Sequence, residues 1–126
     1  IYEQHKNGWQ LRQQISVNAA DFKGDNGAAD LKLSPDGRFL YATNRGTANS
    51  IAQFSVGKDG LLSSPQVYPV AGKGPRNFTI SPDGQYLLVA NQLSNEVVIF
   101  TRDLKTGNLT DSGNRIDVLM PVCLVF

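Results

Sequence analysis

Six polar residues carry most of the chemistry that this sequence offers: Arg45, Arg76, Asp30, Asn44, Asn77 and Asn91. A guanidinium grips phosphate or carboxylate through two parallel N–H···O bonds, and it also stabilises an oxyanion forming at an attacked carbonyl. Arg45 and Arg76 are therefore candidate catalytic residues, the alternative for each being hydrogen bonds to loop carbonyls or a pair with Asp30. Asp30 is the third catalytic candidate, as a general base or as the group that orients an arginine. Asn44, Asn77 and Asn91 are candidate substrate-binding amides, or ties that hold loops in place. Other chemistries are excluded by composition. One histidine, His5, and one cysteine, Cys123, allow neither an internal disulfide nor a Cys/His zinc site within this chain. Gly72-Lys73-Gly74 precedes no helix, so the Walker type of phosphate loop is excluded.

The elements that position these residues come from an internal repeat. Ser34-Pro35-Asp36-Gly37 recurs 47 residues later as Ser81-Pro82-Asp83-Gly84. The flanks recur with it: Leu31–Leu33 matches Phe78–Ile80, and Arg38–Asn44 matches Gln85–Asn91. Pro121–Phe126 lines up with Pro75–Ile80 as the start of a third copy. Each copy reads as four short strands. In the first copy these are Leu31–Leu33, Phe39–Thr43, Ile51–Val56 and a strand from Leu61 to Val70. The second copy gives Phe78–Ile80, Tyr86–Ala90, Val97–Thr101 and a strand from Asn108 to Val118. Pro-Asp-Gly closes the first hairpin of each copy, because Pro pre-sets φ and Gly accepts the positive φ that the turn needs. Ile1–His5, the Asn7-Gly8 turn and Trp9–Val17 fit the back half of a preceding copy.

Tyr86-Leu87-Leu88-Val89-Ala90 is apolar on both faces, so this strand is expected to be covered on both sides. Four-stranded antiparallel units at this period, stacked face to face, are propeller blades. The expected fold is all-β, with about 2.7 blades in 126 residues. Its parts are the back half of a blade (1–20), two blades (28–70 and 75–118) and the first strand of the next or closing blade (121–126). That is too few to close a ring, so further blades or self-association are expected to cover the open edges. Successive loops of an antiparallel blade alternate faces. Arg45, Asp30, Arg76 and Asn77 thus fall together on one face, where the innermost strands enter the central channel. Trp9, Tyr41, Phe54, Tyr86 and Phe100 read as packing between blades, His5 as a surface residue, and Cys123, between Val122 and Leu124, as buried. Asp36 and Asp83 read as turn residues that accept backbone N–H groups.

Twelve Lys and Arg against eleven Asp and Glu leave a net charge of +1, which argues against a nucleic-acid partner. No apolar run is long enough to make a membrane-spanning helix. The chain begins at Ile1 with neither an initiator Met nor a signal-peptide pattern, and it is expected to belong to a longer polypeptide.

From about Asp21 to Phe126 the sequence resembles the C-terminal part of the lactonase-type seven-bladed propellers, the family of 6-phosphogluconolactonase and of relatives labelled carboxymuconate cyclase. The resemblance is carried by Ala28–Tyr41, Asn44-Arg45-Gly46, Ser50-Ile51-Ala52, Gly74-Pro75-Arg76-Asn77-Phe78, Ser81–Gly84, Leu88–Gln92 and Pro121-Val122-Cys123. It implies an enzyme that hydrolyses a sugar-acid lactone without metal or organic cofactor, using a His and a Glu that have no counterpart in this chain. A cytoplasmic location is expected, with which the single free cysteine is compatible. The fragment alone is then expected to be inactive. Two alternatives remain open at the level of sequence. Tyr41-Ala42-Thr43-Asn44 also resembles the Tyr-Val-Thr-Asn repeats of non-catalytic binding propellers. A carboxymuconate-type cyclase would use the same arginines to hold carboxylates.

Overall fold

A computed structural model describes residues 1–126. Ten strands form three antiparallel sheets and there is no helix. The strands are β1 (Tyr2–His5), β2 (Gly8–Leu11), β3 (Asn26–Leu33), β4 (Phe39–Gly46), β5 (Ser50–Ser55), β6 (Gln66–Pro69), β7 (Pro75–Ile80), β8 (Tyr86–Asn91), β9 (Glu96–Arg102) and β10 (Leu109–Asp117). β1 and β2 make a lone hairpin, while β3-β4-β5-β6 and β7-β8-β9-β10 are two four-stranded meanders.

The repeated turn folds the same way in both meanders. Asp36 Oδ1 accepts the Arg38 backbone N–H at 3.1 Å and the Ser34 hydroxyl at 2.5 Å. Asp83 Oδ1 accepts the Gln85 N–H at 3.0 Å and the Ser81 hydroxyl at 2.5 Å. Gly37 and Gly84 hold φ of 69° and 73°, which an L side chain rarely adopts.

Strand alternation sorts the apolar side chains onto two faces. Phe39 and Tyr41 of β4 join Phe78, Leu87, Val89, Val98 and Phe100 of the second meander in the core between the two sheets. Ala42 of β4 faces the other way, into a small cluster with Ala52 and Phe54 that Ile15 and Val17 partly cover. Phe78 is fully buried, and a ring removed from water contributes roughly 1.5–3 kcal/mol. The two sheets are thus blades stacked face to face, and the molecule is part of a β-propeller.

Several residues depart from the sequence expectation. β3 starts at Asn26, ahead of the apolar Leu31–Leu33, and between Ala28 and Leu31 its register with β4 shifts. β7 carries the matching irregularity between Pro75 and Asn77. Trp9 and Tyr86 are exposed rather than packed between blades, because no element of this chain lies over them. Tyr41, Phe54 and Phe100 are buried as expected. Residues 121–126 form no strand and Cys123 is exposed, because no neighbouring strand in this chain pairs with that segment.

Candidate functional site

Two β-bulges aim the site. In β3, Ala29 and Asp30 stand opposite Thr43 alone, between the pairs Ala28–Asn44 and Leu31–Ala42. In β7, Arg76 is the extra residue between the pairs Pro75–Asn91 and Asn77–Ala90. An extra residue bends the strand and re-aims its side chains. Gly74 prepares the second bulge at φ 68°, with its α-carbon against Leu93, so that a Cβ there would lie 2.7 Å from Leu93 Cγ. The result is a cleft of about 220 Å³ between the two blades, lined by Ala29, Asp30, Arg45, Arg76, Asn77 and Val122. Four of the six candidates converge on it.

Asp30 is a fully engaged carboxylate. Its Oδ2 accepts from Lys32 Nζ at 2.7 Å, from Asn77 Nδ2 at 2.7 Å and from the Phe78 N–H at 3.2 Å. Its Oδ1 accepts the Leu31 N–H at 2.8 Å. Burial works against the charge, yet the Lys32 hydrogen bond, the two backbone N–H groups and the Lys32 charge outweigh it, so the pKa lies below the usual carboxylate value. A carboxylate held ionised with its lone pairs occupied is a weak proton acceptor. The geometry fits an anchor: Asp30 fixes Asn77, and Asn77 Oδ1 in turn accepts the Leu124 N–H at 2.7 Å. Lys32, which sequence reasoning missed, neutralises Asp30 in place of either arginine. Its spacing of two residues along one strand, which puts both side chains on the same face, was the available signal.

Arg45 and Arg76 are the unpaired cations of the cleft. Neither takes part in an ion pair. Arg45 is half-buried and makes one contact at the limit of hydrogen bonding, 3.5 Å from Nε to the Gly27 carbonyl. Arg76 is exposed and makes no intramolecular hydrogen bond of its side chain within the hydrogen-bond network.

Asn44 and Asn91 are not brought to the cleft. Both are fully buried at the ends of β4 and β8. Asn44 accepts the Gly27 N–H at 2.8 Å and donates to Asn18 Oδ1, so it ties the loop entering β3. Asn91 donates to the Val70 carbonyl at 3.1 Å. These bonds are those of the loop-tying alternative, and they leave the Asn91 amide oxygen buried without a partner.

These placements yield the first prediction. Asp30→Asn keeps one acceptor oxygen, sets an NH2 donor where the other oxygen accepts, and loses the charge facing Lys32. It is expected to cost about 1–3 kcal/mol in stability and to lower any turnover by the complete propeller less than about tenfold. Loss of a general base would lower it by about 10²–10⁴-fold. Steady-state kinetics of the two proteins separate these outcomes.

Comparison with known proteins places the chain. The family model described as Lactonase, 7-bladed beta-propeller matches residues 1–126. A protein named 6-phosphogluconolactonase from Formosa agariphila is 53% identical over 102 residues, covering 79% of this chain and 29% of that protein. Another of the same name from Yersinia pseudotuberculosis is 36% identical over 112 residues, covering 87% of this chain and 33% of that protein. Among solved structures, the periplasmic gluconolactonase of Pseudomonas aeruginosa superposes with a TM-score of 0.90 at 35% identity, over 97% of this chain and 34% of that one. A Lactobacillus plantarum protein superposes with a TM-score of 0.88 at 32% identity, over 97% and 36%. The chain therefore spans about a third of the length of the relatives it matches. Stacked four-stranded blades, a shared bulge in each innermost strand and a match along its whole length make this chain a member of the lactonase seven-bladed β-propeller family.

Proposed function

We propose that this chain is the C-terminal part of a propeller enzyme that hydrolyses a sugar-acid lactone of the 6-phosphogluconolactonase type. The observation that supports it most is a pair of guanidiniums without carboxylate partners, facing one cleft between two blades. In lactone hydrolysis water adds to the ring ester carbonyl, negative charge gathers on its oxygen, and the bond from the carbonyl carbon to the ring oxygen breaks. The ring oxygen leaves as a hydroxyl after taking a proton. Arg76, the less encumbered cation, stabilises the oxyanion, and Arg45 holds the anionic group of the substrate. Asp30 and Asn77 form the polar floor against which the lactone lies. The groups that activate water and protonate the ring oxygen come from blades outside this chain, so this segment alone does not turn over lactone. The compartment follows the substrate: a phosphorylated lactone goes with the cytoplasmic reading, whereas the Pseudomonas aeruginosa neighbour is named as periplasmic.

The test is lactone hydrolysis by the complete propeller, followed by titration of released acid. Hydrolysis of 6-phosphoglucono-δ-lactone supports the reading. Turnover of muconolactone alone would replace it with the cyclase reading. Binding of a sugar acid without any turnover would replace it with the binding propeller.

A further inference from the structure

Arg45 lines two clefts. Beyond the one already described, a second cleft of about 370 Å³ opens on the same face, lined by Asn26, Gly27, Arg45, Gly46, Gly74, Gln92 and Leu93. Like the first it lies between the two blades, so residues of this chain form both of its walls. The first cleft, at about 220 Å³, is smaller than the usual range for small-ligand sites of roughly 300–1,000 Å³. A six-carbon sugar acid bearing a phosphate must extend out of it, and Arg45 marks the direction.

The two clefts differ in charge. The first contains the carboxylate of Asp30, whereas no acidic residue lines the second. The second offers a guanidinium and two side-chain amides, those of Asn26 and Gln92, neither of which is engaged in an intramolecular side-chain hydrogen bond. A phosphate accepts hydrogen bonds and carries charge, so it favours a cation with N–H donors and no nearby carboxylate. A neutral ester carbonyl tolerates the Asp30–Lys32 pair. The internal repeat places Gln92 at the position that Arg45 holds in the preceding blade, 47 residues apart. Arg45, near the end of β4, and Gln92, just past the end of β8, line the same cleft. Gly46 and Gly74, both at positive φ, contribute backbone to its lining, and Leu93 contributes an apolar wall.

We propose that the second cleft is the subsite for the phosphate end of the substrate, with Gln92 as the residue that, beside Arg45, selects phosphorylated over unphosphorylated lactones. This rests on the lactonase reading and goes beyond it by assigning which end of the substrate lies where. Phosphate binding at a site remote from the carbonyl acts equally on ground and transition states, so it lowers KM more than it raises kcat.

The experiment compares the complete propeller with its Gln92→Glu and Gln92→Leu variants on 6-phosphoglucono-δ-lactone and glucono-δ-lactone. Gln92→Glu preserves side-chain size and sets a like charge against phosphate. It is expected to lower the ratio of the two kcat/KM values by at least about tenfold, mainly through KM for the phosphorylated lactone. Gln92→Leu, which removes only hydrogen bonds, is expected to lower that ratio by less, about threefold. An unchanged ratio in Gln92→Glu overturns the subsite. Where the parent protein hydrolyses neither lactone, the lactonase reading fails, and calorimetric binding of 6-phosphogluconate and gluconate decides the subsite separately. Selective weakening of 6-phosphogluconate in Gln92→Glu upholds it, and equal affinities for the two acids in parent and variant overturn it.

Discussion

Arg76→Ala in the complete propeller is expected to lower kcat for lactone hydrolysis by about 10²–10³-fold, the usual effect of removing one oxyanion donor. The folded state is expected to change by less than about 0.5 kcal/mol, as for surface substitutions that break no buried contact. Both halves follow from where Arg76 lies. It is the extra residue of the β7 bulge, exposed and in no ion pair, so the blade does not depend on it. Its repeat counterpart is Ala29, which shows that the bulge folds with a side chain as small as alanine. Packing therefore does not require a guanidinium at this position. The kinetic signature separates the two arginines. Removing Arg76 lowers kcat with every lactone, whereas Arg45→Ala raises KM most for substrates that carry an anionic group. Steady-state kinetics, with thermal melting as the control for folding, reads both. Unchanged kcat in a folded Arg76→Ala protein removes Arg76 from the chemistry.

Much of this architecture is legible in the residues. The 47-residue repeat, the Ser-Pro-Asp-Gly turns and the doubly apolar β8 require stacked antiparallel blades. Alternation of loops between faces is enough to bring Asp30, Arg45, Arg76 and Asn77 together, because it depends only on the order of the strands. The bulges are not legible in this way. A bulge is a single unpaired residue, and it leaves no trace in a hydrophobic pattern whose apolar positions resume at Leu31 and Phe78. Yet the bulges decide which side chains reach the cleft. Without them Asn44 and Asn91 look as eligible as Asn77, although the structure turns their amides into the linkers.

Long-range pairing is the other hidden layer. Asp30 reads as an available base until Lys32 and Phe78 are seen to occupy it. Burial of Trp9 and Tyr86 depends on neighbours that no local pattern supplies, and here both are exposed. The largest omission is Arg102. In sequence it follows the expected strand Val97–Thr101 with no motif around it, whereas its side chain is 1% exposed in the structure. Its repeat counterpart is Val56, so the repeat gave no signal for it.

Arg102 joins the two blades on the side of the Ser-Pro-Asp-Gly turns. Its Nε donates to the Tyr41 hydroxyl at 2.8 Å and its Nη1 to the Gly84 carbonyl at 3.1 Å. Nη2 lies 3.4 Å from Asp36 Oδ2, and the guanidinium stacks over the Phe39 ring with its carbon 5.2 Å from the centroid. Tyr41 passes the network on by donating to the Gly107 carbonyl at 2.6 Å. Arg102→Ala leaves the Tyr41 oxygen and the Gly84 carbonyl short of a donor in a buried place. It is expected to cost about 3–5 kcal/mol, the usual result of removing one partner from a buried charged network. Tyr41→Phe, which keeps the ring, is expected to cost about 1–2 kcal/mol. The two should be strongly non-additive because they share a hydrogen bond. Acid provides an independent reading. Burial opposes the charge on Asp36, but hydrogen bonds from Ser34 and Arg38 and the field of Arg102 hold its pKa well below the usual value. Its unfolded value is about 3.9. Asp36 therefore contributes full stability above that pH and loses it as pH falls toward the lower folded value. Arg102→Ala is expected to flatten the fall in stability below pH about 4. Urea unfolding of the complete propeller at neutral and acid pH measures both effects, and a loss below about 1 kcal/mol at neutral pH would show that the blades do not depend on this joint.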